Sequence, residues 1–188
     1  MKKQDTSAEF DIIEQQCADL FANKNRDYGS AWRVLRLPSL TDQIYIKARR
    51  VRSIQETGIT RVNEGIIPEF IGIVNYSVMA LVQLEKGVEE GEPVALSADE
   101  ILNMFHHHMK TTKELMLKKN HDYGEAWRQM RITSLTDIIL MKLLRIKSIE
   151  DNKGKTLVSE GLAANYQDII NYAMFALIRL TLENEQMS

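Results

Sequence analysis

The polar residues of this chain repeat more faithfully than the apolar residues between them. Residues 24–55 read KNRDYGSAWRVLRLPSLTDQIYIKARRVRSIQ, and 95 positions later residues 119–150 read KNHDYGEAWRQMRITSLTDIILMKLLRIKSIE. Both copies keep Lys-Asn, Asp-Tyr-Gly, Ala-Trp-Arg, Ser-Leu-Thr-Asp, and a Lys and an Arg three residues apart. A duplication kept only for packing should retain its apolar pattern and let its charges vary. The retained polar residues therefore indicate a site.

Apolar residues recur at helical spacing along most of the chain, and no stretch alternates as a strand would. This pattern predicts an all-α fold. Turns are expected at 24–29 and 119–124, where Asn and Asp precede Gly, and Ser39 is expected to cap the helix that follows it. Helices are predicted at about 8–23, 40–56, 63–86, 97–118, 134–151 and 159–185.

The repeat predicts two similar three-helix units, residues 1–86 and 99–188, joined by a charged linker at 87–98 that contains Gly and Pro. We expect the units to pack as one helical bundle with pseudo-twofold symmetry.

Composition narrows the function classes. With 24 basic and 26 acidic residues, a coat of nucleic acid or a polybasic membrane anchor is not expected. The single cysteine excludes a disulfide within the chain and a cysteine-rich zinc site. No signal peptide and no apolar run of about 18 residues stands out, so we expect a soluble cytoplasmic protein with no membrane partner.

A lysine interrupts the apolar stripe of the second helix in each unit. Leu40, Ile44, Val51 and Ile54 surround Lys47, and Leu135, Ile139, Ile146 and Ile149 surround Lys142. An ammonium there is costly unless it is paired or its stem reaches outward. The partners considered are Asp42 or Asp137, Asp27 or Asp122, and the phosphate of a ligand.

Further cations accompany the two lysines. Arginines suit phosphate oxygens because the guanidinium is a bidentate fork, and a lysine acts as a point charge. The alternative, an internal salt-bridge network, explains the same pattern and stays open. The arginines that could converge with the lysines are Arg50 and Arg145 one turn further on, and Arg33, Arg36, Arg128 and Arg131 before the helix.

Side chains of the Asp-Tyr-Gly segment are also candidates. Asn25, Asp27, Asn120 and Asp122 could hold a metal or a ribose hydroxyl, or only satisfy the turn's own backbone. Trp127 and Tyr123, like Trp32 and Tyr28, could stack on a base, although core packing is the commoner role of tryptophan.

The last helix offers oxygen ligands. Glu160, Asp168 and Asn171 are expected on one face and would suit Mg²⁺ or Mn²⁺, unless that face is simply solvated. The first unit has Glu64, Gly72 and Asn75 at the matching positions, so its site is expected to be weakened. Metal binding by His106, His107 and His108 is rejected, because neighbouring helical positions diverge and no carboxylate stands at a useful spacing.

Together, K-N-x-D-Y-G-x-A-W, S-x-T-D, K-x-x-R, E-G and D-I-I-N-Y-A resemble the nucleotide-modification-associated domain 1 family. More remotely, the chain is similar to the all-α MazG and dimeric dUTPase type of pyrophosphohydrolase. That resemblance implies Glu160 and Asp168 as Mg²⁺ ligands, Glu64 as a remnant, and Lys142, Arg145, Lys47 and Arg50 as phosphate contacts. The acidic cluster of an early helix is missing, since Glu114 stands alone there.

We therefore expect a nucleotide-binding protein acting on a small molecule, and leave open whether it is a Mg²⁺-dependent hydrolase of phosphoanhydrides. The competing hypothesis is a non-catalytic helical module. Its charges would form an internal network, and Met141, Leu143 and Leu144 would join another protein or a second copy in a homodimer.

Overall fold

The computed structural model describes residues 5–58, 65–92, 95–157 and 160–183. Every regular element in these ranges is helical, which confirms the all-α prediction. Short 3₁₀ turns at Ala31–Val34 and Ala126–Gln129 lie before the second helix of each unit. The α-helices are α1 Thr6–Tyr28, α2 Leu37–Thr57, α3 Ile66–Lys86, α4 Ala98–Tyr123, α5 Ile132–Asp151 and α6 Leu162–Thr181.

Each helix packs against its counterpart in the other unit: α1 against α4, α2 against α5, and α3 against α6. Within a unit, α2 also packs on α3, and α5 packs on α6. Helices α3 and α6 supply much of one continuous apolar core, with Phe70, Tyr166 and Met174 fully buried. The two units therefore bury their apolar faces largely against each other. A two-fold relation between them stays a prediction.

Helix α3 has the length and apolar composition of a membrane span, although no such run was predicted from the sequence. By length and composition alone it could cross a membrane, although 67% of its most apolar stretch is buried inside the structure. A core helix of a soluble bundle has the same properties, so this observation is weak evidence for a membrane span.

The prediction of turns at 24–29 and 119–124 is wrong over most of both segments. Helices α1 and α4 continue through Tyr28 and Tyr123 and end at Gly29 and Gly124, whose φ angles are +61° and +59°. Positive φ is inexpensive only for glycine, so glycine rather than the preceding Asn or Asp ends each helix.

The predicted cap at Ser39 is also wrong. Helix α2 begins two residues earlier, with Pro38 in its first turn and Arg36 at the N-cap position. Proline's fixed φ suits this first turn, but α5 begins at the corresponding Ile132 without a proline, so the early start does not depend on Pro38. Ser97 does cap α4, where its hydroxyl accepts from the backbone N–H of Glu100 and the Glu100 carboxylate accepts from the N–H of Ser97.

Candidate functional site

A cavity of about 560 Å³ lies in the second unit between α4, the 3₁₀ turn after it, α5 and α6. We call it the lysine cavity. Its lining combines charged and aromatic groups, with Lys119, Lys142 and Asp168 beside Tyr123 and Tyr172. This pocket is amphipathic, as sites for small polar molecules with an aromatic ring often are.

Two ammonium groups held on one carboxylate, together with the carboxylate of Glu160, form the charged part of the lysine cavity. Lys119 Nζ donates to Oδ1 of Asp168 at 2.7 Å, and Lys142 Nζ donates to Oδ2 at 2.7 Å. The side chains of Lys142 and Asp168 are 11% and 8% exposed, whereas that of Lys119 is 43% exposed. One negative charge thus holds two positive ones, and the trio carries a net positive charge.

The partner of Lys142 is therefore not among the protein groups considered from the sequence. Asp137 and Asp122 are exposed, and Asp42 pairs with Lys147 at 2.7 Å. The acid that reaches Lys142 comes from α6, one of the two helices against which α5 packs most extensively. A buried ammonium is stabilised by the nearest carboxylate facing the same interior, which spacing along its own helix does not reveal.

The first unit neutralises its lysine differently. Lys47 lies 3.5 Å from the Glu69 carboxylate, and Arg50 donates to the same carboxylate at 2.6 Å. With the units aligned on the Asn-Tyr pair of their last helices, Glu69 corresponds to Asn165, and Gly72 corresponds to Asp168. The acid has moved by about one helical turn between the copies.

Gly72 makes room for Lys47. A Cβ at Gly72 would lie 2.6 Å from Cε of Lys47, so the lysine stem crosses the helix where a side chain would otherwise stand. In the first unit the lysine stem thus lies over the position that Asp168 occupies in the second. This arrangement agrees with the expectation of a weakened first site, whose Glu64 lies outside the described residues.

Arg145 differs from its counterpart Arg50, because the second unit has Asn165 where the first has Glu69. Arg50 pairs with Glu69, but Arg145 is exposed and makes no ion pair within the described ranges, since Asn165 replaces the acid. Arg145 lines a second, open cavity of about 820 Å³, which we call the arginine groove, together with Lys155. Lys142 and Glu160 line both cavities, so the arginine groove adjoins the lysine cavity.

Trp127 is placed for packing rather than for base stacking. Trp127 is 5% exposed. Its ring stacks parallel to that of Phe175, with the two centroids 4.2 Å apart, and the Arg128 guanidinium lies 4.3 Å from the centroid of the Trp127 ring. Two planar groups at such short distances must cover opposite faces, so neither face is open to a base. Packing, the commoner role considered for Trp127, therefore fits this arrangement better than base stacking does.

Tyr123 and Tyr172 are the aromatic groups available to a ligand. Tyr123 is 74% exposed and lines the lysine cavity. Tyr172 is half-buried there, and burial, followed by the nearby Asp168 charge, raises the pKa of its hydroxyl. It therefore stays a neutral hydrogen-bonding group at physiological pH.

Arg33 and Arg128 do not converge on the lysines. Arg128 donates to Glu9, Glu125 and Glu183. Arg33 pairs with Glu89 at 3.3 Å. Each is held in a carboxylate network, which is the alternative that the sequence left open for them. Arg36 and Arg131 occupy the exposed N-cap positions of α2 and α5 and line neither cavity.

Of the four Asn and Asp candidates in the two Asp-Tyr-Gly segments, the structure brings only Asn120 to the lysine cavity. Its amide donates to the Met116 sulfur at 3.1 Å. Asp122 points to solvent near His121, and Asp27 is likewise exposed. These two aspartates therefore do not join the lysines in a single site.

Glu160 and Asp168 do not make a pre-formed magnesium site. Glu160 lies in the loop before α6, since the helix begins only at Leu162, and both oxygens of Asp168 already accept from lysines. A cation at Asp168 would lie beside two ammonium groups, whose positive charges oppose its binding. Glu160 is nevertheless close: although burial lowers the pKa of Lys119, its hydrogen bond to Asp168 and the charges of Asp168 and Glu160 raise it overall.

Lys119 and Glu69 were missed by the sequence analysis. Lys119 opens the repeated Lys-Asn motif, and that repetition is the signal that could have selected it. Glu69 gives no such signal because its counterpart is Asn165.

The fold and site together define an all-α bundle of two tandem helical repeats with a cavity in the second that is lined by charged and aromatic side chains. A model of the nucleotide modification associated domain 1 family matches residues 24–84 and again 119–180. The chain therefore belongs to that family, as the sequence motifs predicted, and carries its domain twice. No curated protein and no solved structure matches the chain. The remoter resemblance to MazG-type enzymes stays a prediction.

Proposed function

We propose that the second repeat binds a nucleotide whose base and sugar enter the lysine cavity. The observation that carries this proposal is the pair of ammonium groups of Lys119 and Lys142 held on Asp168 beside two tyrosines. Ammonium groups attract phosphate oxygens, and tyrosine rings stack on bases. The family's association with nucleotide modification agrees with such a ligand.

The phosphate chain would extend into the arginine groove. Lys142 stands where the two cavities adjoin, and Arg145 and Lys155 lie beyond it with Glu160 as a lining acid. The unpaired guanidinium of Arg145 suits a phosphate, because a bidentate fork matches two of its oxygens. A ligand with more than one phosphate would use these cations together.

Asp168 positions the two lysines rather than touching the ligand's phosphates directly. A carboxylate repels phosphate, but here it fixes two ammonium groups and is outnumbered by them. Mg²⁺ would then enter on the phosphate chain, in the usual manner of nucleotide sites, with Glu160, which lines both cavities, as a carboxylate ligand. We derive no hydrolytic step from this arrangement.

The test compares two matched lysines. Lys142→Met should weaken nucleotide binding by about 10- to 100-fold, the loss expected for a charged hydrogen bond of ~1.5–3 kcal/mol. Lys47→Met removes the equivalent lysine of the first repeat and should leave affinity unchanged. Isothermal titration with natural and modified nucleoside mono-, di- and triphosphates measures both, with and without Mg²⁺, and product analysis reports any hydrolysis.

A second pair of variants tests the proposal independently, in case Lys142→Met unfolds the protein. Arg145→Gln changes an exposed side chain and should weaken triphosphate binding more than monophosphate binding. Arg131→Gln, an exposed arginine outside both cavities, is its control. If no nucleotide binds the wild-type chain, or if all four variants bind like wild type, the proposal is wrong.

The competing scaffold hypothesis gains no specific support. Leu143, one of its three contact residues, is fully buried in the core, whereas Met141 and Leu144 are 40% and 54% exposed and line the arginine groove. Two exposed side chains beside a cationic groove make a smaller apolar surface than the sequence suggested.

A further inference from the structure

A cluster of metal-binding side chains lies where the last turn of α3 meets α4. Glu85 comes from α3, and His107 and His108 come from α4. One potential ligand atom from each residue lies within 4.8 Å of the other two. The three side chains are therefore close enough to share one ion, and no other such group is found among the described residues.

The fold overturns the reason for rejecting these histidines. The sequence offers no carboxylate at a useful spacing, but Glu85, on another helix, places Oε2 3.0 Å from Nε2 of His108. The rings of His107 and His108 meet edge to face with centroids 5.1 Å apart, so the two adjacent side chains converge despite their helical offset. His106 is separate, since its Nδ1 lies 2.7 Å from Glu14.

The donor set has the composition of a transition-metal site. Two imidazole nitrogens and a carboxylate oxygen are ligands that Zn²⁺ accepts, with a fourth position left for water. His108 is shielded, with a side chain 12% exposed. Lys86, whose ammonium lies 3.8 Å from the other Glu85 oxygen, faces the same acid and competes for it.

We propose that Glu85, His107 and His108 bind one divalent transition metal ion, of which Zn²⁺ is the representative. The ion would join the end of α3 to α4 and so bridge the chain segment that connects the two repeats. Bound to the folded chain alone, it would raise the melting temperature, because a ligand selective for the native state stabilises it. This site is separate from both cavities and independent of nucleotide binding.

The experiment uses the full chain after treatment with a chelator. Isothermal titration with Zn²⁺ should give one equivalent, and Co²⁺ should give visible d–d absorption from nitrogen and oxygen ligands. His107→Ala and Glu85→Gln should each weaken binding by at least about tenfold, since even indirect partners of a metal contribute that much. Both positions are exposed, so neither change should unfold the protein.

His121→Ala is the matched control. His121 also lies beside a carboxylate, that of Asp122 at 3.3 Å, but no third ligand joins them among the described residues, so its removal should leave Zn²⁺ affinity unchanged. Loss of Zn²⁺ binding in the His121 variant, equal binding by the His107 and Glu85 variants and wild type, or no stoichiometric uptake would overturn the proposal. A nucleotide titration of the same variants should be unaffected whichever result is obtained.

Discussion

At the scale of single residues, the position of one acid decides what the neighbouring cations can do. Glu69 engages both Lys47 and Arg50, so the first repeat keeps its charges internally paired. In the second repeat Asp168 engages Lys142 and Lys119, and Arg145 stays available. The same Lys-x-x-Arg pattern thus serves as an internal network in one copy and as a candidate binding surface in the other.

Glu150 provides a test of burial at a single carboxyl group. Its Oε1 accepts from Thr41 at 2.8 Å and lies 3.5 Å from the Tyr166 hydroxyl. Burial raises its pKa above the usual 4.5, even though the hydrogen bonds from Thr41 and Tyr166 lower it. The folded chain therefore binds the proton more tightly than the unfolded chain does. The stability from this group is full below pH 4.5 and is lost as the pH rises through the raised pKa.

Glu150→Gln should accordingly raise the melting temperature at pH 7 by about 1–3 °C. The difference from wild type should vanish below pH 4.5, where the wild-type carboxyl is protonated in both states. Thermal melts from pH 4 to 7 measure this, with Glu90→Gln, an exposed loop residue, as the control. A constant offset at every pH would show that the effect is not the titration of Glu150.

At the scale of helices, a residue type that favours a helix end marks that end only where the backbone conformation also fits. Ser97 and Ser39 both precede a predicted helix, yet only Ser97 caps one. Helix α2 begins at Leu37, ahead of Ser39, just as α5 begins at Ile132, and α1 continues past its Asn and Asp to Gly29. The end of α1 therefore follows the backbone freedom of glycine rather than the turn preference of the neighbouring polar residues.

The two serines make a direct comparison. Ser97→Ala should reduce the free energy of unfolding by about 1 kcal/mol, because a capping hydroxyl is removed from the backbone N–H of Glu100. Ser39→Ala should change it by less than about 0.5 kcal/mol, since that side chain makes no cap. Urea denaturation monitored by circular dichroism measures both. Equal losses would contradict the assigned start of α2.

At the scale of the whole molecule, the bundle joins two repeats whose corresponding lysines pair with acids at different positions. The fold class and the family could be predicted from the sequence, because helical periodicity and the repeated motifs are local properties. Lys142 could be found too, since it interrupts an apolar stripe. Its partner Asp168 could not be assigned, because the pairing depends on how α5 lies on α6 and differs between the copies.

The difference between the repeats predicts the binding stoichiometry. The chain should bind one nucleotide, not two, because Lys47 fills the space above Gly72 and Arg50 is already paired. Titration of a known protein concentration gives this number directly. A second equivalent that survives Lys142→Met and disappears in Lys47→Met would show that the first repeat binds as well.

Because α1, α2 and α3 each lie on their own counterpart, a solitary repeat could cover the same apolar faces only by pairing with an identical molecule. Such a homodimer would have carried two identical sets of charged residues, and any substitution would have altered both at once. A tandem chain is free of that constraint. In it, an acid can shift by one helical turn in one copy while the other copy stays unchanged.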